Sequence, residues 1–292
     1  MSTRRPPAVV RQLELLPASG LCQRWRERKA RWYRDHAGAP RLDPRRYHVE
    51  PITQAAAAAW LARHHYLRTL AGRQWLYGLL DDRAPDPAAA LVGVAVFGPG
   101  MPHVLPALFP GLRRHQDSTE LVRFGLIDRV PADGETHFLG AVFRLLAREG
   151  VAAVASFSDP VVRRAADGRL IAPGHVGTVY QAANAVYTGR TAPVVYRLFP
   201  ADAALLHPRL LAKYRAGAPN AGSVERALVG HGAPPRTPDE DRARYLERQL
   251  PRLTRPFRHA GLHRYAFVFG PHAGAVRLAL PALPAPRRAA RP

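Results

Sequence analysis

"STELVRFGLIDRVPADGETHFLGAVFRLLAREGVAAVASF", residues 118–157, reads as strand, loop, helix and strand in immediate succession. In "STELVRFGLID" the alternation sets Val122, Phe124 and Leu126 on one side and Arg123 on the other, the period of two that belongs to a strand. The polar "RVPADGE" breaks that pattern. "THFLGAVFRLLAREG" then carries Phe138, Ala141, Val142, Leu145 and Leu146 in one stripe at helical spacing, with Gly150 placed to end it. "VAAVASF" is a short, wholly apolar run of the kind buried on both faces. Two strands joined through a helix belong to a sheet that is parallel at that point. On this reading Glu120 and Arg123 point to opposite faces, and Arg123 is the one expected at the cleft.

The flanks extend the pattern. "ITQAAAAAWLARHHY" predicts a helix over 52–66, and "QWLYGLLD" and "ALVGVAVFG" predict two strands of an antiparallel hairpin joined by "DRAPDPAA". Downstream, "TVYQAANAVYTG" (178–189) opens with Thr178 and Gln181 at capping-box spacing and closes on Gly189, which predicts another helix. "PVVYRLF" and "LHRYAFVFG" read as strands, and "ADAALLHPRLLAKY" and "PDEDRARYLERQL" as helices. The order describes an α/β fold with a mixed sheet flanked by helices, spanning 47–272 as one domain. Residues 1–46 form a basic arm with 12 Arg or Lys against four acids, containing an amphipathic helix in "LCQRWRERKARWYRDH". Residues 273–292 are a Pro- and Arg-rich tail that ends in "PALPAPRRAARP", with nothing to bury and therefore expected to be disordered.

Composition narrows the partners. The chain has 43 Lys plus Arg against 22 Asp plus Glu, a net charge of +21, and only Lys29 and Lys213 among them are lysines. Guanidinium binds phosphate through a planar fork, so an excess of this kind points to nucleic acid. Biased codon usage favours Arg over Lys but does not account for bases outnumbering acids almost two to one. One cysteine, Cys22, excludes an internal disulfide and a multi-cysteine zinc site, in keeping with a reducing cytoplasm. No apolar run long enough to span a bilayer is present, and no membrane partner is expected.

Functional groups crowd into "SFSDPVVRRAADGRLIAPGHVGTVYQAANAVYTG", residues 156–189. Ser156 and Asp159 follow the "VAAVASF" strand, where α/β sheets gather reactive groups. His175 sits between glycines with no local structural need for an imidazole. If 178–189 is one helix, Tyr180, Asn184 and Tyr187 share a face and, with Gln181, make a polar wall for a planar base. Plainer roles compete: Thr178 and Gln181 as caps, Asp159 before Pro160 as a turn former, Tyr180 as a core tyrosine, His64 as a cation at a helix end. His65, Asp159 and His175 have the composition of a two-histidine, one-carboxylate iron set, but their spacing supports it little and no metal ligand is assigned. Phosphate-loop and dinucleotide fingerprints are absent.

On "HHY" (64–66), "STELVRFGLID", "DGETHFLGAVFRLL", "ASFSDP", "GHVGTVYQAANAVYTG", "LVGHGAPP" and "GLHRYAFVF", the chain resembles the Mom family of phage DNA-modification proteins, a divergent branch of the GNAT acyltransferase fold. The resemblance runs over roughly 50–270. It implies conversion of the exocyclic amine of adenine in double-stranded DNA to a carbamoylmethyl (glycinamide) adduct, which shields phage DNA from restriction. It further implies an active site of His65, Tyr66, Arg123, Ser156, Asp159 and Tyr180 and an association with iron; His175, Gln181, Asn184 and Tyr187 are expected toward the substrate from the pattern of the loop and helix. One departure concerns the donor. Where GNAT enzymes cradle the pyrophosphate of acetyl-CoA on a glycine-rich loop, this chain has "VPADGETHFL" with Asp133 and Glu135, whose charge repels such a group, so the donor is left open.

Overall fold

The structure, a computed structural model, describes residues 21–24, 31–34, 42–71, 74–131, 133–219 and 221–287. In chain order the elements are β1 (Leu21–Arg24), β2 (Arg31–Arg34), β3 (Tyr47–Pro51), α1 (Gln54–His64), β4 (Trp75–Asp81), α2 (Pro87–Ala90), β5 (Leu91–Gly98), α3 (Val104–Leu108), β6 (Ser118–Leu126), α4 (Gly134–Arg148), β7 (Ala153–Ser158), β8 (Arg163–Arg164), β9 (Leu170–Ala172), α5 (Thr178–Ala182), β10 (Val186–Arg190), β11 (Val194–Leu198), β12 (Leu205–Leu206), α6 (Pro208–Arg215), α7 (Gly222–Gly230), α8 (Arg242–Leu253), β13 (Arg255–His259) and β14 (His263–Val268).

Seven strands in the order β10-β14-β7-β6-β5-β4-β3 make the main sheet, antiparallel throughout except where β6 runs parallel to β7. The expected mixed sheet flanked by helices is therefore the observed one. Helix α1 starts at Thr53, whose Oγ1 accepts from Ala56 N–H at 3.2 Å, as an N-cap does. It buries Ala57, Trp60 and Leu61 on Val94 and Val96. Helix α4 covers the opposite face: Phe138, Val142 and Leu146 of its apolar stripe, with Leu139, are fully buried against Phe97, Leu121 and Val154. Each such side chain contributes roughly 2 kcal/mol through removal from water.

Only four residue pairs join β6 to β7, from Ser118↔Ala153 to Leu121↔Ser156. Beyond them β6 stays with β5 and β7 stays with β14, so a wedge opens in the middle of the sheet. A bulge sits at the same level, since Val96 pairs with Arg123 but Phe97 with Leu121, leaving Val122 as the extra residue. Bulges shift which face later side chains take. This corrects the simple alternation: Leu121, Phe124 and Leu126 join the α4 side, whereas Val122 joins the cluster under α1, and Glu120 and Arg123 come to share the α1 side instead of opposing one another.

A second, smaller sheet, β12-β11-β13, packs with α6, α7 and α8 around its own core, which includes Phe199, Tyr214, Leu228, Tyr245 and Leu246. β10 leads into β11 and β13 into β14, so one antiparallel ribbon passes from the large sheet into the small one. At the bend Thr191 N–H donates to Leu262 O and Leu262 N–H to Thr191 Oγ1, both at 2.9 Å.

Three local expectations are corrected. The helix expected over 178–189 stops at Ala182: Asn184 takes φ +63° and the chain turns into β10. Asn tolerates that left-handed conformation and the Val-Tyr-Thr run that follows prefers a strand. Its N-cap is Gly177 with no side-chain cap, and Gln181 instead donates to Val176 O, Tyr265 Oη and Pro286 O. Within the expected helix over 21–36, residues 21–24 and 31–34 pair instead as strands, for which the aromatic Trp32 and Tyr33 have a high intrinsic preference. The rest of that helix lies outside the described residues. Finally, residues 281–287 of the tail lie on the domain, with Leu283 N–H donating to Tyr187 O at 2.9 Å. Edge strand β10 leaves that carbonyl unpaired, and the tail satisfies it. Residues 288–292 lie outside the described residues.

Candidate active site

The wedge between β6 and β7 is where the predicted residues meet. From the α1 side come His65, Tyr66, Glu120 and Arg123. His65 caps α1, its N–H bound to Leu61 O at 3.0 Å, and lies over Gly125, where a Cβ would stand 3.5 Å from the imidazole Cδ2. Its ring stacks on Tyr66 at 4.5 Å. Nδ1 of His65 accepts from Leu67 N–H at 3.1 Å, which places any ring proton of the neutral imidazole on Nε2. Burial, with Arg123 and then His175 nearby, lowers the pKa of His65 to about 3, so this side chain is an uncharged donor at neutral pH.

Arg123 is tied to the loop after α1, donating from Nε to Thr69 O at 2.9 Å, from Nη2 to Thr69 Oγ1 at 3.3 Å and from Nη1 to Val122 O at 2.7 Å. Burial lowers its pKa, while Tyr66 and Glu120 oppose the shift. Glu120, which the alternation set on the other face, is its neighbour. Burial raises the Glu120 carboxyl to about 7, with the attraction of Arg123 and the N–H of Met101 working against that rise. Carboxylates poised near neutrality in a cleft suit proton transfer.

From the other side come Ser156, Asp159, His175 and Tyr180. Ser156 is fully buried, its Oγ 3.5 Å from Leu121 O. Tyr180 is only 7% exposed and packs among Tyr265 and Phe267, so both make the floor of the wedge rather than its mouth. Burial raises the Tyr180 phenol and a hydrogen bond with Ser156 counters this. Burial likewise raises Tyr66, with Tyr180 and Asp159 adding and Arg123 and Arg163 opposing; the two sides of the wedge thus feel each other. His175 donates its N–H to Asp159 O at 2.7 Å, and burial lowers its imidazole to about 4, with Asp159 opposing and His263 adding.

Asp159 is held by the small sheet. Its Oδ1 accepts from Val161 N–H and from His259 Nε2, each at 2.9 Å, and Arg163 Nη2 lies 3.9 Å from Oδ2. His259 is 2% exposed and takes the N–H of Gly261 on Nδ1 at 3.1 Å, which fixes its proton on Nε2, toward the aspartate. Neither Glu120 nor His259 was found from sequence. A bulge leaves no period-two signature, and His259 stands 100 residues beyond its partner.

Not every expected residue reaches the wedge. Asn184 is exposed past the end of α5, Tyr187 lies on β10 with Oη 2.9 Å from His263 Nδ1, and Gln181 is spent on the tail and Tyr265. The helical wall of Tyr180, Asn184 and Tyr187 does not exist, because α5 ends before it could form. A depression of about 240 Å3 between β3 and α4, lined by Val49, His137 and Arg144, shares no residue with the wedge.

The sequence profile of the Mom protein family matches residues 46–286, most of the chain and all of the wedge. The chain belongs to the Mom protein family. That membership supports a role in DNA modification or acyl-type group transfer, and hence a transferase. Among curated protein sequences nothing matches. Solved structures similar to this chain include one presented as a phosphinothricin N-acetyltransferase, 9% identical over 52% of this chain and 86% of that one at a TM-score of 0.31. Another is a tandem GNAT protein from the clavulanic acid biosynthesis pathway, 12% identical over 52% of this chain and 48% of that one at the same TM-score. Overlap at that level decides nothing about activity. Among the described residues no helix is long and apolar enough to cross a membrane.

The iron implied by the family resemblance meets a poor fit. Among the described residues no three His, Cys, Asp or Glu side chains are gathered closely enough to hold a metal ion, and Asp159 Oδ1 and His65 Nδ1 already accept hydrogen bonds from this chain.

Proposed function

We propose that the protein is a transferase that modifies the exocyclic amine of adenine in DNA, giving the carbamoylmethyl adduct. The observation that carries this reading is the wedge, where a strand bulge, a helix end and two loops bring Glu120, Arg123, His65, Tyr66 and Asp159 around one gap in the sheet. Family membership and the charge of +21 support DNA as the substrate. Adenine's amine faces into the duplex, so the base must leave the stack to reach the gap.

The amine is a weak nucleophile because its lone pair is delocalised into the purine. As its nitrogen bonds to the donor's carbon, the bond from that carbon to its leaving group breaks and one N–H proton must go to a base. Glu120 is best suited to receive it, because its carboxyl is poised near neutrality. His65 presents an N–H and Asp159 is occupied by two donors on one oxygen, so these two orient rather than deprotonate. Arg123 offers positive charge where the leaving group departs. The donor is a compound whose activated carbon is the methylene of a carbamoylmethyl group; acetyl-CoA would deliver an acetyl group instead, and Asp133 and Glu135 stand at the start of α4 where its pyrophosphate would lie.

Nucleoside mass spectrometry of DNA from cells making the protein tests the reading. A new adenine adduct is the expected result. DNA binding without an adduct would instead favour a non-catalytic binding protein, and acetylated proteins or small amines without altered DNA an ordinary acetyltransferase. Asp159→Ala is expected to abolish the adduct while DNA affinity changes less than about threefold, since the carboxylate holds His259 and the N–H of Val161 and, being an anion, adds no attraction to phosphate. Full adduct yield from that variant would remove Asp159 from the site.

A further inference from the structure

The small sheet offers a surface beside the wedge that no step above uses. Tyr196 of β11 and Phe257 of β13 are directly opposed partners in the ladder, and Val194↔His259 and Leu198↔Arg255 are the pairs two residues away on either side. Side chains two apart share a face, so Tyr196, Phe257, His259 and Arg255 lie on one side of this sheet. His259 on that face reaches Asp159 at 2.9 Å. Tyr196 is braced edge-on from two directions, by His207 at 5.2 Å and 89° and by His259 at 5.8 Å and 74°; Phe257 meets His259 at 6.2 Å and 62°.

Both rings are half-buried and neither belongs to a hydrophobic core among the described residues. Rings fixed at their edges and left partly open beside a site are suited to take a flat partner on the face. The charge around them names that partner's chemistry. Arg255, on the same face, is exposed and has no ion-pair partner among the described residues, whereas Arg258 alternates to the other face.

We propose that Tyr196 and Phe257 form a stacking shelf for a nucleobase of DNA, with Arg255 on an adjoining phosphate, so that the small sheet receives an unstacked nucleotide next to Asp159. This rests on the DNA reading above for its partner. Every base has a π-face, so such a shelf holds a base without reading its identity. It supplies part of what unstacking costs, and the Arg255 guanidinium supplies a salt-dependent grip on the backbone.

The test compares labelled duplexes that are fully paired or carry one unpaired adenine, by fluorescence anisotropy. The intact protein is expected to favour the unpaired adenine. The double variant Tyr196→Leu, Phe257→Leu is expected to lose that preference by roughly tenfold or more, and Tyr196→Trp to keep it. Arg255→Ala weakens both duplexes alike and lowers the slope of log affinity against log salt by about one. An unchanged preference in the leucine variant overturns the shelf. Because that variant could misfold, the intact protein is also irradiated on an oligonucleotide carrying one 5-iodouracil in the unpaired position. Crosslinks mapped to Tyr196 or Phe257 support the shelf; crosslinks confined to other peptides overturn it. Adduct yield separates the two readings. Base-dependent binding without any adduct would sink the chemistry and leave the shelf, whereas normal adduct formation and KM in the leucine variant would sink the shelf and leave the chemistry.

Discussion

Replacing Glu120 by Gln is expected to slow adenine modification by roughly 10²–10⁴-fold, the usual loss when a positioned base is removed, while making the protein more stable in alkaline solution. Both effects follow from one cause. The carboxyl lies in the wedge where water is scarce, and burial raises its pKa from the ordinary 4.5 to about 7, against the pull of Arg123 and the N–H of Met101. Its folded-state pKa is above its unfolded one, so the folded protein holds the proton more tightly. The stabilising contribution is complete below about pH 4.5 and is lost as pH rises through 7. Glutamine carries no charge to desolvate. The variant should gain about 1–3 kcal/mol relative to the native chain at alkaline pH and nothing from this source in acid, the upper figure being the whole shift expressed as energy. Rate against pH should rise through an ionisation near neutrality in the native protein and lose that limb in the variant. A glutamine variant whose rate keeps the same limb would show that another group takes the proton.

Gly261→Ala is the second change with a large expected effect. Gly261 has φ +96° at the bend of the ribbon, and a Cβ there would stand 2.1 Å from Thr191 O and 3.0 Å from Thr191 C. These atoms are backbone, and Thr191 is bound across the bend to Leu262 through both its N–H and its Oγ1, so neither strand can yield without breaking that link. Gly168 is a suitable control, with φ +80° but open space where its Cβ would go. Alanine there should cost only the left-handed backbone penalty of about 1–2 kcal/mol. At Gly261 the loss should exceed about 3 kcal/mol. His259 accepts the Gly261 N–H and directs its own Nε2–H to Asp159, so modification should fall together with stability. Thermal melts of the two variants side by side check this. Equal melting temperatures would mean that the bend relaxes freely and does not fix the small sheet against the wedge.

Much of the framework was legible because it is local. The stripe from Phe138 to Leu146, the apolar "VAAVASF" and the β4–β5 hairpin are periodic over a few residues, and burying such patterns leaves few alternatives. His65, Tyr66, Arg123, Ser156 and Asp159 converge on the wedge, His65 and Tyr66 from the end of α1, Arg123 from within β6, and Ser156 and Asp159 from the end of β7. Where the reading failed, short-range preferences were balanced. "TVYQAANAVYTG" carries both a helical spacing and a Val-Tyr-Thr strand signal, and the turn at Asn184 resolves it toward β10, which needed β14 as a partner. The tail from 281 to 287 had no partner within its own sequence and found one on edge strand β10.

What the sequence determined by itself was the succession of the larger elements from α1 to β7, the mixed sheet and the basic character, because periodicity and charge are properties of neighbouring positions. Only the tertiary structure decided that Glu120 faces the wedge with Arg123 and that His259 orients Asp159. The first depends on one extra residue in β6 relative to β5, and the second on a ribbon that bends between two sheets; both are matters of register between segments far apart in the chain, which no local pattern records.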